Sequence, residues 1–218
     1  MSAATLVQIS IGDATLEGAL DVPAHALGLV LFAHGYGSSR HSPRNNFVAA
    51  VLREAGIGTL LVDLLLPGEV RDDARRFDAG LAAGRLLMAT RWIATRPATR
   101  ALPLGLFGSS LGAAAALEAA AALGDEVRAM VLRGGRPDFA SRVALATLTA
   151  PTLLLVGGRD IGVARLNQNA YDQLACEKAL RFVPGASHLF DEPGTLEALA
   201  HETAAWFVRH LPGPAPHP

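Results

Sequence analysis

The sequence predicts a single α/β domain in which helices cover both faces of a mostly parallel β-sheet. The chain has 218 residues, of which 50% are hydrophobic and 18% are charged, so it is long enough for one large core and short for two. From about residue 27 onward, short apolar runs alternate with longer segments of helical periodicity. This alternation is typical of repeated strand-helix-strand units. We place the domain at residues 1–211 and a Pro-rich tail at 212–218.

The chain begins with two segments that predict an antiparallel hairpin at the edge of the sheet. TLVQISI and TLEGALDVP are separated by the turn sequence Gly12-Asp13-Ala14. Six further strands are predicted, each a short apolar run bounded by Gly, Pro or a charged residue, as in a sheet buried on both faces. Their sequences are GLVLFA, GTLLVDL, PLGLF, RAMVL, TLLLV and ALRFV. With the hairpin, they predict a sheet of about eight strands.

Helices are predicted between these strands because apolar residues recur there at spacings of three and four. The alanine-rich run at 113–122 has the composition of a low-complexity segment. Alanine is nevertheless the best helix former and lets a helix lie close to a sheet, so we predict a buried helix there. The five helical segments lie near residues 43–55, 78–96, 111–123, 163–176 and 194–210.

Composition excludes several classes of function. The formal net charge of -1 and the pI near 6.7 lack the basic character of a nucleic-acid binder. The sequence shows no signal-peptide pattern and no run approaching the ~20 apolar residues that cross a bilayer, so no membrane partner is expected. The single cysteine, Cys176, excludes an internal disulfide and a thiolate metal cluster and fits a reducing, cytoplasmic location. We expect a small-molecule substrate, no cofactor and no metal. The oligomeric state is left open, a homodimer included.

The polar residues of unusual type are concentrated at one edge of the predicted sheet. Ligand sites in open α/β sheets form outside the carboxyl ends of the strands. Here those ends carry the sequences HGYGSSRHS, DLLLPGE, GSSLG, RGGRPD, GGRD and PGASH. Nearly every candidate catalytic residue therefore falls on this one edge.

The stretch GLFGSSLGAAA contains a G-x-S-x-G pattern between a predicted strand and a predicted helix. In a nucleophile elbow, the central serine occupies a strained turn and its hydroxyl is exposed above the sheet. Taking Gly108 and Gly112 as the flanking glycines makes Ser110 the central residue and Ser109 the variable one. Side chains at the two glycine positions would collide in the tight crossing. Alone, the pattern also fits a chance match or a serine that caps a helix.

A serine nucleophile requires a base and an orienting acid, and with this elbow the chain order is Ser, then Asp or Glu, then His. Asp160 follows the strand TLLLV and His188 follows the strand ALRFV, in that order. His188 would accept the Ser110 proton and pass it to the leaving group, while Asp160 would hold the imidazole tautomer. Asp138 also follows a strand and is the alternative acid. We favour Asp160 because the Gly157-Gly158 turn lets the backbone bring its carboxylate over the sheet edge.

The tetrahedral intermediate of acyl transfer needs backbone donors for its oxyanion. The Leu111 amide directly follows the predicted nucleophile and begins a helix whose N-terminal amides favour negative charge. The second donor is expected in the loop HGYGSSR, where His34-Gly35 allows a tight turn and the Tyr36 amide faces the predicted site. Without the elbow, this loop would be interpreted as a Gly-rich surface turn. His34 itself is expected to be structural.

Two pairs of arginines adjoin the same edge. Arginine can bind a carboxylate or phosphate through two parallel hydrogen bonds, so their position suggests the hypothesis of an anionic substrate, although solvated or internally paired arginines are commoner. The candidates are Arg40, Arg133 and Arg136, with Arg44 nearby. The alternative is that these side chains are solvated or paired with carboxylates such as that of Asp138.

These motifs together resemble the α/β-hydrolase superfamily, and within it the small dienelactone-hydrolase-like group. The similarity extends over essentially the whole chain, through LVLFAHGYGSS, GLFGSSLGAAAAL, LLLVGGRD and VPGASHLF. It implies an eight-stranded sheet in which only the second strand is antiparallel, with helices on both faces. It also implies a catalytic triad and two oxyanion donors, namely Ser110, Asp160 and His188 with the Tyr36 and Leu111 amides.

The chain departs from the pattern of this group at one important residue. Dienelactone hydrolases proper carry cysteine at the nucleophile position, whereas this elbow carries Ser110 and the sole cysteine, Cys176, lies in a helical segment. The resemblance therefore implies a serine carboxylesterase that cleaves small soluble esters, lactones or anionic esters included, through an acyl-enzyme. The segment 137–150, where many lipases insert a helical lid, is short, so we expect no large lid. The alternatives are an amide or peptide hydrolase of the same fold and a non-enzymatic binding module that retains it.

Overall fold

The computed structural model describes residues 4–12, 14–35 and 37–212. One sheet holds eight strands, which are β1 (Thr5–Ile11), β2 (Ala14–Asp21), β3 (Leu29–Ala33), β4 (Gly58–Val62), β5 (Leu104–Ser109), β6 (Val127–Arg133), β7 (Thr152–Gly157) and β8 (Lys178–Val183). Their spatial order is β1-β2-β4-β3-β5-β6-β7-β8. Asp13, in the predicted hairpin turn, and residues 213–218 of the predicted tail lie outside the described residues.

The sheet is mixed only at its N-terminal edge. β1 pairs with β2 in antiparallel register, with Thr5 opposite Leu20 and Ile11 opposite Ala14. β2 also runs antiparallel to β4, and every later pairing is parallel. The predicted hairpin, the eight strands and the single antiparallel strand are therefore confirmed.

The described residues contain seven α-helices, which are α1 (Pro43–Glu54), α2 (Asp73–Arg76), α3 (Ala79–Thr95), α4 (Gly112–Leu123), α5 (Arg142–Thr147), α6 (Ile161–Gln173) and α7 (Thr195–His210). Five of them match the predicted segments within a few residues. The other two, α2 and α5, have only 4 and 6 residues. Such lengths are too short for an apolar repeat to appear, and each helix begins instead at a capping side chain, Asp72 or Ser141.

The helices cover both faces of the sheet, as predicted, and divide the core into two clusters. In β3, Leu31 and Ala33 pack toward α3 and α4, while Val30 and Phe32 pack toward α1 and α7. The alanine-rich α4 lies directly on the sheet, and its residues 113–116 are fully buried. Alanine side chains permit this close approach because each presents a single methyl group. Strands β3 to β7 are thus almost entirely buried, whereas the edge strand β8, predicted to be buried, is mostly half-buried or exposed because no further strand covers it. The carboxyl ends of the parallel strands form one open edge.

The connection between β6 and β7 stays short, in agreement with the expected absence of a large lid. It consists of a 3-10 turn at Pro137–Phe139, the six-residue helix α5 and the segments that join them. Within the described ranges, no helix has both the length and the apolar character needed to cross a membrane.

An ion-pair cluster fastens the segment after β4 to α3. The Arg85 guanidinium donates to both carboxylate oxygens of Glu69, at 2.6 and 2.8 Å, and to the Leu64 carbonyl at 2.6 Å. The Leu66 amide and Arg75 also donate to this carboxylate. The Glu69 side chain is only 11% exposed and the Arg85 side chain only 7%. Hydrogen bonding by Arg85 lowers the pKa of Glu69 to about 2.

We expect Glu69→Gln to lower the free energy of unfolding at pH 7 by roughly 3 kcal/mol, since it leaves the buried Arg85 charge uncompensated. The folded-state pKa of Glu69 lies below its ordinary value of 4.5. Its contribution is therefore complete above that value and is lost as the pH falls toward about 2. Urea unfolding between pH 2.5 and 7 measures this dependence. The control is Glu202→Gln, which breaks an exposed pair with Arg181 and should cost under ~1 kcal/mol. Equal losses in the two variants would contradict the prediction.

Candidate active site

Ser110 occupies a strained turn between β5 and α4. Its φ of 51° lies in the left-handed region, which non-glycine residues seldom adopt. Three backbone hydrogen bonds hold the turn: the Ser110 amide donates to the Arg133 carbonyl at 3.1 Å, and the Arg136 and Ala113 amides donate to the Ser110 carbonyl at 2.9 and 3.1 Å. Ser109 is the last residue of β5 and only 1% exposed. The two adjacent serines therefore have different environments, and Ser110 has the backbone geometry of a nucleophile elbow.

The two glycines of the pattern are required by close backbone contacts. A Cβ at Gly108 would lie 2.7 Å from the Ala113 Cα atom. A Cβ at Gly112 would overlap the Ala33 carbonyl oxygen and lie 2.7 Å from that of His34. The elbow can thus pack against β3 and the first turn of α4 only because both positions lack side chains.

Asp160 and His188 meet at the same edge of the sheet. The His188 Nδ1 atom lies 2.7 Å from Asp160 Oδ2. Asp160 follows β7 and caps α6, where its other carboxylate oxygen accepts from the Val163 amide at 3.4 Å. Asp138, the alternative acid, accepts two hydrogen bonds of 2.8 Å from Arg136, and this arginine lowers its pKa. Of the two acids considered, Asp160 is the one in contact with the histidine.

An open cavity of about 500 Å³ adjoins the elbow. Ser110 and His188 both line it, together with Gly35, Gly37, Ser38, Ser39, His41, Ser42, Pro43, Arg44, Ser109, Arg133 and Leu189. A second cavity of about 450 Å³ shares the wall formed by residues 37–39 and includes the apolar side chains of Leu65, Leu66 and Val70. The first cavity is large enough for a small substrate placed over Ser110.

The loop after β3 approaches the nucleophile closely. A Cβ at Gly35 would lie 2.8 Å from Ser110 Cβ, so the backbone of this loop touches the elbow. His34 anchors the loop, because its Nδ1 lies 3.0 Å from the Gly35 carbonyl and its Nε2 accepts from the Leu64 amide at 2.8 Å. Burial lowers the pKa of His34, which favours the neutral ring that this bonding requires. Tyr36 lies outside the described residues, so its role as an oxyanion donor stays a prediction, as does that of Leu111 at the start of α4.

The arginines of this edge differ in their partners. Arg40 is paired with Asp63 and Glu17, Arg136 is paired with Asp138, and Arg44 is paired with the exposed Asp191. Their guanidinium groups therefore already have counter-charges within the chain.

Arg133 stands apart from these three. Its Nη1 atom is buried and has no hydrogen-bond partner among the residues that the structure describes. Burial and the neighbouring Arg44 charge lower the pKa of Arg133 to about 10. Of the predicted substrate-binding arginines, Arg133 thus combines a position on the cavity wall with unused hydrogen-bonding capacity.

The predicted site residues are thus largely brought together, with their catalytic and binding roles still predictions. Asn167 is not among the residues predicted from the sequence, yet it is 0% exposed and donates to the Gly135 carbonyl beside the elbow. Nothing in the sequence separates it from the other polar residues of its helix. In the described part of the chain, no group of three or more His, Cys, Asp or Glu residues could hold a metal ion.

Comparison with solved structures finds close likeness over nearly the whole chain. A crystal structure of a dienelactone hydrolase from Anabaena variabilis superposes with a TM-score of 0.91 and 50% identity, covering 95% of this chain and 98% of that one. Est1E from Butyrivibrio proteoclasticus gives a TM-score of 0.81 at 16% identity, with 95% and 98% covered. An esterase domain from Rhodothermus marinus gives 0.78 at 18% identity, with 96% and 100% covered. The last two show the likeness of the fold alone.

Two curated proteins that are similar to this chain carry a name unrelated to ester hydrolysis. Two Mycobacterium tuberculosis proteins named "Putative phosphoribosyl transferase" are 53% identical over 210 residues, which is 96% of this chain and 47% of each relative. The chain therefore spans about half the length of the curated relatives it matches. No family model matches the chain.

Proposed function

Because the chain belongs to the dienelactone-hydrolase-like group of the α/β-hydrolase superfamily, we propose that it is a serine hydrolase that cleaves small carboxylic esters through an acyl-enzyme on Ser110. The observation that carries the proposal is the 2.7 Å contact between His188 and Asp160 beside a cavity that Ser110 also lines. Nucleophile, base and acid then follow three different strands at one edge of the sheet, in the chain order Ser, Asp, His that the α/β-hydrolase triad has. The dienelactone hydrolase that is 50% identical over 95% of this chain supports a hydrolase in general.

In the proposed mechanism, His188 removes the hydroxyl proton of Ser110 as its oxygen attacks the ester carbonyl. The resulting oxyanion is stabilised by the Leu111 amide, at the positive end of α4, and by the Tyr36 amide. His188 passes its proton to the departing alcohol, which leaves an acyl-serine. A water molecule, deprotonated by the same histidine, then releases the carboxylic acid and restores the Ser110 hydroxyl. Asp160 holds the imidazole orientation and stabilises its charged form throughout.

The proposal assigns no catalytic role to the cysteine. The Cys176 thiol lies 3.8 Å from the Thr152 hydroxyl, and burial raises its pKa, which disfavours the reactive thiolate. A serine nucleophile also agrees with the left-handed backbone of Ser110. The cytoplasmic location stays an expectation based on composition.

The proposal is tested with a fluorophosphonate probe and a substrate panel. Only a serine activated by a base reacts with the probe, so labelling separates a hydrolase from a binding module that retains the fold. The panel compares aryl esters with amino-acyl anilides of matched size. Ester cleavage with labelling supports the proposal, whereas preferential anilide cleavage would favour the amide-hydrolase alternative. A wild-type protein inert to the probe and to both substrate classes would overturn it.

Within this function, we propose that the substrate carries a carboxylate. Arg133 and Arg44 line the cavity, and no acidic residue does so among the described residues. The Arg133 Nη1 atom has no hydrogen-bond partner among the described residues. A buried guanidinium nitrogen without a partner is costly, and a carboxylate bound at Arg133 would offset that cost through charge-assisted hydrogen bonds.

We expect Arg133→Met to lower kcat/KM about 10- to 100-fold for an aryl hemiester of a dicarboxylic acid, because a hydrogen bond to a charged group is worth about 1.5 to 3 kcal/mol. For a neutral aryl ester of the same length, the change should stay within about threefold. The matched control is Arg136→Met, which removes an arginine already paired with Asp138 and should leave the ratio of the two substrates unchanged. Steady-state kinetics of both variants measure this ratio. An equal loss on both esters in Arg133→Met would argue against anion recognition.

A further inference from the structure

The backbone of Ser110 is held by the turn that follows β6. This turn, residues 133–136, is called the β6 turn below. It receives the Ser110 amide at the Arg133 carbonyl, at 3.1 Å, and supplies the Arg136 amide to the Ser110 carbonyl, at 2.9 Å. Both peptide groups that flank the Ser110 Cα atom are thus hydrogen-bonded to the same four residues, and the Ser110 carbonyl also accepts from the Ala113 amide of α4 at 3.1 Å. A displacement of the β6 turn is therefore expected to disturb the backbone position of Ser110.

The β6 turn also lies against the base and against the helix after the nucleophile. A Cβ at Gly134 would lie 3.5 Å from both Cε1 and Nδ1 of the His188 ring. A Cβ at Gly135 would lie 2.8 Å from the Ala113 Cβ atom on α4. The turn therefore fills the space between the nucleophile, the base and the first turn of α4.

A single buried side chain ties the β6 turn to the helix that begins at Asp160. Asn167, on α6, donates from Nδ2 to the Gly135 carbonyl at 2.9 Å and to the Val163 carbonyl at 2.8 Å. The Val163 amide, in turn, donates to the carboxylate of Asp160. Asn167 thus connects the turn that holds the nucleophile to the first turn of the helix that the acid caps.

The environment of Asn167 points to a specific use of its donor group. The residue is 0% exposed, and its Oδ1 atom has no hydrogen-bond partner among the described residues. Burying an amide with an unpartnered oxygen costs free energy that an apolar side chain of similar volume would not incur. The benefit of asparagine here is therefore the hydrogen bond that it donates to the β6 turn.

Building on the serine hydrolase function proposed above, we propose that Asn167 is a positioning residue whose hydrogen bond to the Gly135 carbonyl couples the Ser110 backbone to the helix of Asp160. Nucleophile, base and acid must keep their mutual geometry to well within 1 Å, because a misplacement of that size can cost about 100-fold in rate. Without the Nδ2 donor, the Gly135 carbonyl loses its side-chain partner, and this hydrogen bond no longer holds the β6 turn against α6.

The test compares Asn167→Leu, which keeps the side-chain volume and removes the donor, with Thr203→Val as control. Thr203 is also 0% exposed and lies in α7, where its hydroxyl donates to the Leu199 carbonyl at 2.8 Å. The control therefore loses a buried side-chain hydrogen bond in a helix on the opposite face of the sheet. For both variants we would measure Tm, kcat and KM for an aryl ester, and the second-order rate of fluorophosphonate labelling. Hydrogen exchange of peptides covering residues 105–115 and 131–140 is measured as well.

In Asn167→Leu, we expect kcat and the labelling rate to fall together by about 10- to 100-fold, with KM within about threefold of wild type. Exchange should accelerate in the two peptides around Ser110 and the β6 turn. Thr203→Val should keep wild-type kcat, labelling rate and exchange there, whatever its Tm. If Asn167→Leu does not fold, Asn167→Ser, whose hydroxyl is too short to reach Gly135, is measured with the same expectations.

Two outcomes would overturn the assignment. One is a wild-type kcat and labelling rate in the Asn167 variant. The other is that Thr203→Val, at the same change in Tm, loses as much kcat and labelling rate as the Asn167 variant does. Failure of the hydrolase proposal is recognised separately, because the wild-type protein would then neither label nor cleave esters. In that case hydrogen exchange still tests whether Asn167 holds the elbow, because this measurement does not depend on catalytic activity. Unchanged exchange around Ser110 in the Asn167 variant would show that Asn167 does not hold the elbow.

Discussion

Replacing Ser110 with alanine should lower kcat/KM for an aryl ester by on the order of 10⁴-fold or more, because the members of a triad act as a unit. The substitution removes the only atom that would form the acyl bond. The residual rate should come from transition-state stabilisation by the oxyanion donors and from substrate binding. Alanine at a position with a φ of 51° keeps a strained backbone, so the fold of the variant is checked by circular dichroism.

Ser109→Ala is the matched control for Ser110→Ala. Ser109 ends β5 at the cavity wall but is only 1% exposed, so we expect it not to attack a substrate, and activity should stay within about tenfold of wild type. The fluorophosphonate probe should label wild type and Ser109→Ala but not Ser110→Ala. Retained activity in Ser110→Ala together with loss in Ser109→Ala would show that the elbow had been assigned in the wrong register.

Asp160→Asn should lower kcat about 10⁴-fold while leaving the fold intact. The Asp160 carboxylate lies 2.7 Å from His188 Nδ1 and can only accept, so it places the proton on Nδ1 and leaves Nε2 free to take a proton from Ser110. An asparagine amide can instead donate to Nδ1, which stabilises the other tautomer and blocks the base. Asparagine is also a good helix N-cap, so the contact with the start of α6 is preserved. Unfolding curves should therefore differ little from wild type.

Asp138→Asn tests the alternative acid under the same assay. Its carboxylate is held by Arg136 through two hydrogen bonds of 2.8 Å. Asp138 follows the end of β6 closely, just as Asp160 follows the end of β7. We expect kcat within about threefold of wild type in this variant. A large loss in Asp138→Asn with little change in Asp160→Asn would assign the orienting acid to the end of β6.

Local sequence was sufficient to predict the sheet, the elbow and five of the seven helices found among the described residues. Each depends on a short-range rule: apolar runs form buried strands, and Gly108 and Gly112 permit a crossing that side chains would block. The helices α2 and α5 were missed because 4 and 6 residues are too few to show a helical period. The Tyr36 amide stays a prediction, since that residue is outside the described ranges.

Contacts between distant residues were decided only by tertiary structure. Asp138 and Asp160 both follow strands, and only packing brings one of them to His188 and the other to Arg136. In the same way, Arg136 and Arg133 differ in what surrounds them rather than in sequence pattern. The sequence by itself determined the fold and the order of the candidate triad, because periodicity and turn chemistry act between neighbours. Tertiary structure decided which carboxylate contacts His188, which arginine has an unpartnered nitrogen at the cavity and which asparagine contacts the β6 turn, because partners far apart in the chain meet only when strands and helices pack.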